Sequence, residues 1–527
     1  MRSKRHGHDL LILLALALAL RLGTAWLLDR PGYTDAYYYA VGARQLAGGQ
    51  GFTEPFIWNW LDPPEKVVHP GYAYWLPLTA MLGGLGHLLL GGSFRAVQMP
   101  FVLLSALLPP VAYGLAWDLT AERRHALLAG LLGLFPGFYA HVFVLPDNFA
   151  PFALAGSLSL WAAGRGLRDG RPLWFGLAGL AAGFAHLARA DGLLLLGVLL
   201  PFAPLSSGRK PASDHRPPAV RYLLLVGGYL LVMGPWFLRN WMTFGSPLGG
   251  AGTGTIFLTS YDDLFAYGRP PTLADYLAWG WQAILASKGQ ALLLNLQRLW
   301  AEGLLIFLPP FVALGLWQLR RERLLWPFFL YAPLLFLTMT FVFTFPGTRG
   351  GLFHSGGALL PFFFAATGPG LEVALRWAAR RLRGWRVRQA WPVFGAGLVA
   401  LAVLVTLLAL ARAGVLGGGW NRRDDHYTQI GHWLAEQGVA SDAVVMVGDA
   451  PGFTWHTHHP AIAIPNEPLD TILVVADRYD ARYLILDGAR PRTTDDLYTG
   501  KETHPRLVLR LRGESEGEGW QLYEFTR

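Results

Sequence analysis

Apolar residues gather in blocks along this chain, each close to the roughly 20 residues that cross a hydrocarbon core. The blocks cover 9–28, 96–117, 126–145, 148–164, 172–188, 192–205, 221–238, 292–316, 324–345, 355–374 and 390–412. They predict a polytopic α-helical membrane protein with about eleven transmembrane helices. Two blocks are weak: 192–205 is short, and 126–145 contains Pro136 and Gly137. Residues 29–94 read as a long external loop whose Trp, Tyr and Pro suit a membrane interface. From residue 413 the pattern changes. "YTQIGHWLAEQG" spaces Ile430, Trp433 and Leu434 as an amphipathic helix. "AVVMVGD" and "ARYLILDG" read as buried strands with "LDTILVVADRYD" as a helix between them, and "RLVLRLRG" and "WQLYEFT" alternate as strands. The expected organisation is a membrane domain over 1–412 and a small extracytoplasmic α/β domain over 413–527.

Charge orients this picture. The 527 residues carry a net charge of +9, which on its own would allow a nucleic-acid partner. The basic residues instead cluster in short segments between apolar blocks: RSKR at the start, ERRH at 122–125, RGLRDGR at 165–171, RK at 209–210, RRER at 320–323 and the run from Arg376 to Arg388. Alternating spans put all of these clusters on one side, the positive-inside pattern. Nucleic acid is therefore excluded, the N-terminus is expected in the cytoplasm, and an odd number of spans puts the tail outside. The first apolar block is long and lacks a small-residue cleavage site, so it reads as a retained anchor. Composition agrees: 53% of residues are hydrophobic and 15% charged, against about 25% charged in soluble domains. No cysteine is present, which rules out disulfides, thiol catalysis and cysteine metal sites. The polar segment 205–220 reads as a cytoplasmic loop without chemistry, and no internal repeat or Gly-rich phosphate loop stands out.

The candidate chemistry falls on the expected external side. Asp35 opens the first loop among four tyrosines, in "PGYTDAYYYA". Lys66 and His69 lie near the end of that loop, Asp147 in "LPDNFAPF", Arg189 and Asp191 in "ARADG", Arg239 and Asn240 in "PWFLRNW", and Arg349 and His354 in "FPGTRGGLFHSGG". Ionisable groups at membrane depth are costly and usually face a cavity or a partner, so acids and bases gathered from separate spans suit an anionic, lipid-borne substrate. Rival structural readings stand beside these. Asp35 and Asp147 are each placed to cap a helix, Arg239 and Arg349 to snorkel, and Arg189 and Asp191 to pair with one another. Arg21, inside the first helix, is expected to snorkel outward. "HTHH" at 456–459 invites a metal reading, but a variable loop is preferred. The acid pairs Asp262–Asp263, Asp424–Asp425 and Asp495–Asp496 read as solvated loops.

The order of "D…Y" after the first helix, "HP…YWLPL", "PD", "ARADG" and "PWxxRNxxxFGxP", with the tail pattern "DAVVM…ARYLILDG", resembles the GT-C glycosyltransferases, in the branch of the protein O-mannosyltransferases and aminoarabinose transferases. The resemblance implies an inverting transfer of a sugar from a polyprenyl-phosphate donor at the outer face of the cell membrane. The acceptor is a hydroxyl on a protein, a lipid or a glycan. It casts Asp35 as catalytic general base and Asp147 as a second catalytic carboxylate that orients the acceptor or helps hold a metal. Some relatives use a divalent metal ion there and others do not, so the cofactor stays open. Lys66, His69, Arg239, Asn240, Arg349 and His354 become substrate-binding residues, with Arg349 preferred for the donor phosphate. Many relatives have Lys–Pro where this chain has His69–Pro70, which leaves the charge at that point to Lys66. The alternative function is a transporter or flippase for a lipid-linked or anionic substrate. That class favours midplane sites on broken helices and repeated halves. A non-catalytic scaffold that displays the tail is a third reading.

Overall fold

The computed structural model describes residues 2–205, 218–250, 252–515 and 517–526. Most of the 205–220 loop, and the basic pair at 209–210, lies outside them. The chain packs as two compact units, each assembled from three stretches: Met1–Leu27, Gln98–Met242 and Lys288–Gly417 in the first, Leu28–Val97, Thr243–Ser287 and Gly418–Arg527 in the second.

The first unit is helical. Among the described residues six helices are long and apolar enough to cross a membrane: Arg5–Trp26, Phe94–Thr120, Pro218–Phe244, Arg323–Val342, Thr344–Ala379 and Val387–Arg412. The helices Phe149–Asp169 and Leu173–Ala188 and the shorter apolar segment Ala190–Phe202 cover three further expected blocks. Two blocks are interrupted. The 126–145 block is a helix over Arg123–Leu134, a break, and a single turn over Tyr139–Val142. Pro136 drives the break, because the residue before a proline is pushed out of helical geometry and Gly137 takes a positive φ of 61°. The 292–316 block is cut by a widened turn at Leu299–Gly303 and by Leu305 and Ile306, both at positive φ, before Pro309–Gln318 restarts on two prolines.

The first break overturns the expectation for Arg21. A helix end leaves its last carbonyls without intrahelical donors. Arg21 is 2% exposed, and its guanidinium donates to the carbonyl oxygens of Gly133 and Leu134 at 3.3 Å each. It caps a broken helix rather than snorkelling. The basic clusters are tied down by acids in a similar way: Arg123 to Asp9, Arg165 to Asp118, and Arg124 to Glu372.

The second unit is α/β. Its six-stranded sheet runs Phe56–Ile57, Ala461–Ala463, Val444–Val447, Ala481–Leu486, Glu518–Phe525, Leu507–Ser515. The first four strands are parallel, and Glu518–Phe525 pairs antiparallel with both of its neighbours. The predicted tail strands and the helices Asp425–Glu436 and Leu469–Arg478 are all present. The helix Ala450–Thr457 and the strand Ala461–Ala463 were not foreseen. Nor is 29–94 simply an interfacial loop. It forms the helices Thr34–Ala47 and Leu78–Leu90 and lends an edge strand to the sheet, and its Ile57, Trp60 and Val67 share a core with Met446, Ile462 and Leu484. Tyr37, Tyr38 and Tyr39 are at most 1% exposed, not interfacial.

Close helix packing in the first unit rests on small residues. Pro309–Gln318 lies against Leu360–Ala379, where Gly315 meets the Ala366 carbonyl and Gly370 meets the Phe311 carbonyl. A β-carbon at either glycine would overlap a backbone oxygen, which cannot swing aside as a side chain can. Gly370→Val is expected to destabilise the protein by about 1–3 kcal/mol. A surface control, Gly397→Val, has open space around it and should leave the thermal unfolding midpoint unchanged. Equal midpoints for the two variants would contradict the packing.

Candidate active site

Asp35 sits in the first turn of the helix Thr34–Ala47, where a negative charge is favoured by the helix dipole. The N-cap is Tyr33, without a side-chain bond to the helix, so Asp35 is not the cap. What fixes this helix is its own unit. The Tyr37 hydroxyl donates to Asp424 at 3.0 Å and meets His456 Nε2 at 3.1 Å. Thr34 donates to Asp449. Arg44 reaches the carbonyl oxygens of Thr454 and Trp455 and lies 4.2 Å from the Trp455 ring. Just before the helix, Arg30 pairs with Asp425 at 2.6 Å. On the opposite face Tyr38 donates to the buried Glu54, which also accepts from the Tyr72 backbone at 2.6 Å.

His69 and Lys66 belong to the same unit and differ sharply. His69 has both ring nitrogens against carbonyl oxygens, of Pro70 at 3.0 Å and Phe56 at 3.1 Å, and lies 3.9 Å from Glu54. Lys66 is exposed.

In the first unit a second group of candidates converges. Asp147 is fully buried, one residue before Asn148, which takes the N-cap position of Phe149–Asp169. Asn148 Oδ1 is shared by His354 Nδ1 at 2.6 Å and an Arg189 guanidinium nitrogen at 3.3 Å. Arg189 pairs with Asp191 at 2.9 Å, as the spacing suggested, and Ser355 donates to Asp191. His354 stacks on Phe149 with ring centroids 3.7 Å apart, and its Nδ1 lies 3.9 Å from Asp147. The motifs "PDN", "ARADG" and "FHSGG", far apart in sequence, thus make one buried polar cluster. Asn148 and Ser355 were not singled out in the sequence, although each adjoins a residue that was.

Arg239 and Asn240 stand apart from that cluster, near the end of Pro218–Phe244. Asn240 is buried and accepts from Arg239 at 3.0 Å, and the guanidinium lies 4.8 Å from the Trp236 ring. Arg349 is exposed on a glycine-flanked turn, Gly347–Gly351. The histidines of "HTHH" turn to different partners: His456 faces Tyr37 and Thr428, and His458 faces Arg44. Asp263 and Asp495 are engaged locally, with Ser260 and Arg490. Asp424 is not in a solvated loop. It is half-buried in the second unit, and burial raises its carboxyl above the ordinary range.

Residues 68–237 match the family model of the dolichyl-phosphate-mannose-protein mannosyltransferases. No curated protein sequence matches the chain. Among solved structures, ArnT from Cupriavidus metallidurans bound to undecaprenyl phosphate is similar over 97% of both chains, at 15% identity and a TM-score of 0.57. Its apo form gives 14% identity, the same coverage and a TM-score of 0.58. The archaeal oligosaccharyltransferase AglB from Archaeoglobus fulgidus, in complex with an inhibitory peptide and a dolichol-phosphate, is 14% identical over 92% of this chain and 70% of its own, with a TM-score of 0.50. The chain has the GT-C fold.

Within this GT-C fold the sequence reading missed two acids of the second unit, Asp449 and Asp487, and took the neighbouring Asp424 for part of a solvated loop. The signal was present, since Asp449 and Asp487 follow the apolar strands Val444–Val447 and Ala481–Leu486 at their carboxyl ends. The Asp449 carboxyl is pushed up to about 8, first by burial and then by the charge of Asp424. The His456 ring is held down to about 4, first by burial and then by Arg30. The signs follow directly. Asp449 keeps a proton in the folded state that the unfolded chain releases near the ordinary 3.8, so its stabilising contribution is whole below that pH and is lost as pH rises to about 8. His456 stabilises above its ordinary 6.5, and that contribution is lost as pH falls towards about 4. The two oppose below pH 6.5, and above it Asp449 sets the slope. The thermal midpoint should therefore fall between pH 6.5 and 8, and Asp449→Asn should flatten that fall. An unchanged slope in the variant would show that Asp449 ionises normally.

Proposed function

We propose that the chain is an inverting glycosyltransferase that moves a sugar from a polyprenyl-phosphate donor to an acceptor hydroxyl at the outer face of the cell membrane. The observation that carries this reading is the match of residues 68–237, which contain His69 and Asp147, to the mannosyltransferase family model. The GT-C fold, similar over nearly the full length to a structure that binds undecaprenyl phosphate, supports it.

In the proposed reaction Asp35 takes the proton from the acceptor hydroxyl as its oxygen attacks the anomeric carbon. The new carbon–oxygen bond forms on the face opposite the donor phosphate. The old one breaks toward phosphate, and polyprenyl phosphate leaves with the electron pair. The leaving group is already a weak base, so cations that meet its charge are needed more than a general acid. Arg349 and Lys66, both exposed, and Arg239 supply that charge, with Arg349 preferred. Asn240 orients Arg239 through their hydrogen bond. His354 and Asp147 hold the buried cluster on which the acceptor side is built, and His69, engaged with two carbonyl oxygens, is assigned a lesser part. The acceptor is a protein, a lipid or a glycan. The N-terminus is cytoplasmic and the tail extracytoplasmic in this scheme, with about eleven spans in all.

Asp35→Asn tests the reading. Asn keeps the shape but cannot accept the proton. With a panel of polyprenyl-phosphate sugars as donors, transfer should fall by about 100- to 10,000-fold while donor binding and folding persist. A loss below about fivefold in a folded, donor-binding variant would move the base elsewhere, to Asp147 first. Repeating the parent assay with a chelator tests a divalent ion at Asp147.

A further inference from the structure

One charged pair of the first unit has no part in the chemistry described so far. The expected block 292–316 is apolar, yet polar residues recur along it and the helix leading into it, at Lys288, Asn295, Arg298 and Glu302. Spacings of seven, three and four residues put all four on one helix face. That face meets a broken stretch of the same unit. Lys288 donates to Thr344, and the buried Asn295 donates to the Met339 carbonyl at 3.3 Å and to Thr340 at 3.0 Å. Arg298 ends the helix Trp281–Arg298, and Glu302 lies on the widened turn Leu299–Gly303. Widened turns of this kind recur at functional sites. This one packs on Leu352–Gly356, the helix that carries His354 and Ser355 of the buried cluster.

Arg298 is held unlike the other arginines described in this unit. Arg21 spends its guanidinium on the carbonyls of a broken helix. Arg123 and Arg165 each bind an aspartate through two nitrogens, and Arg189 reaches Asp191, Ser355 and Asn148. Arg298 also stands beside a break, and a helix end favours its charge. Among the described residues, however, its guanidinium makes no hydrogen bond, to a carbonyl or to any other acceptor. Its ion-pair partner is Glu302 at 3.9 Å, beyond hydrogen-bond reach. Both side chains are half-buried. Charges at membrane depth are costly and face a partner or a cavity, and so loose a pair leaves the five N–H donors of a guanidinium unspent.

This chemistry selects a ligand. An arginine fork matches the oxygens of a phosphate two at a time, which a carboxylate 3.9 Å away does not rival. The surroundings select its carrier. Leu296 and Trp300, two residues to either side of Arg298, are exposed apolar side chains. A phosphate carried on a lipid can approach past them while its chain stays in hydrocarbon, whereas a free phosphate ion would have to cross that apolar rim. Resting on the transfer reaction proposed above, we propose that Arg298 is a further donor-phosphate residue, which exchanges its loose contact with Glu302 for the phosphate of the lipid-borne donor. The phosphate gains negative charge as its bond to the sugar breaks, so the guanidinium holds it more tightly in the transition state than at the start. Glu302 takes the guanidinium back as polyprenyl phosphate departs.

Binding tests this without the transfer step. Full-length protein in nanodiscs is titrated calorimetrically with farnesyl phosphate, and with inorganic phosphate and farnesol as its two halves, against empty nanodiscs as blank. Farnesyl phosphate should bind the parent saturably and far more tightly than inorganic phosphate. Arg298→Gln should weaken it by about 10- to 100-fold. Arg298→Lys, which keeps the charge and so the fold but loses the fork, should weaken it less. Glu302→Gln removes a competitor and a like charge, so it should tighten binding by about three- to tenfold. A purely structural pair would move both residues' variants in the same direction, and farnesol binding with them. If the parent binds no farnesyl phosphate, the donor reading itself fails. If the parent binds it and both Arg298 variants match the parent, or if Glu302→Gln weakens binding as Arg298→Gln does, this inference alone is overturned. Inorganic phosphate binding as tightly as farnesyl phosphate would overturn the lipid-borne source.

Discussion

The hydrogen bond from Tyr37 to Asp424 joins residues 387 positions apart and fixes the helix on which the proposed chemistry begins. A carboxylate in the first turn of a helix is only as well placed as the helix itself. This one is held by Tyr37 and Thr34 on one side, by Arg44 along its length, and by the buried Tyr38–Glu54 contact on the other face. The tail therefore does more than hang from the last apolar helix: its core and its acids are completed by residues 28–97. A base must lie within hydrogen-bond reach of the proton it takes, so any slack in this clamp would reach Asp35 directly.

The first unit answers a different problem, that of keeping polar groups inside an apolar bundle. Each charge there must be partnered, because an isolated ion in low dielectric is expensive. Arg21 serves the carbonyls that Pro136 leaves without donors, and Asn148 divides one oxygen between His354 and Arg189. Both solutions exploit interruptions of regular helix. The breaks that look like defects in the apolar pattern are where polar side chains from distant segments meet.

Much of this was legible in the sequence. Apolar blocks and basic clusters gave the helices, alternating residues gave the tail strands, and local spacing gave the Arg189–Asp191 pair. Arg21 was misread because its partners are backbone oxygens exposed by a break more than a hundred residues away. Tyr37 and Tyr38 were misread because a tyrosine at an interface and one donating to an acid look alike until the acid's position is known. Asp424 was dismissed as half of a loop pair for the same reason. The edge strand Phe56–Ile57 is two residues long, too short for periodicity to reveal.

The measurement that tests this account most directly is a double-mutant cycle in single-turnover transfer, combining Tyr37→Phe with Asp35→Asn. Tyr37→Phe keeps the ring and removes the bond to Asp424. If that bond acts by placing a catalytic Asp35, Tyr37→Phe slows transfer in the parent and adds almost nothing once Asp35 is Asn, since coupled residues are not additive. Equal losses in both backgrounds would contradict the account, and so would no loss in either.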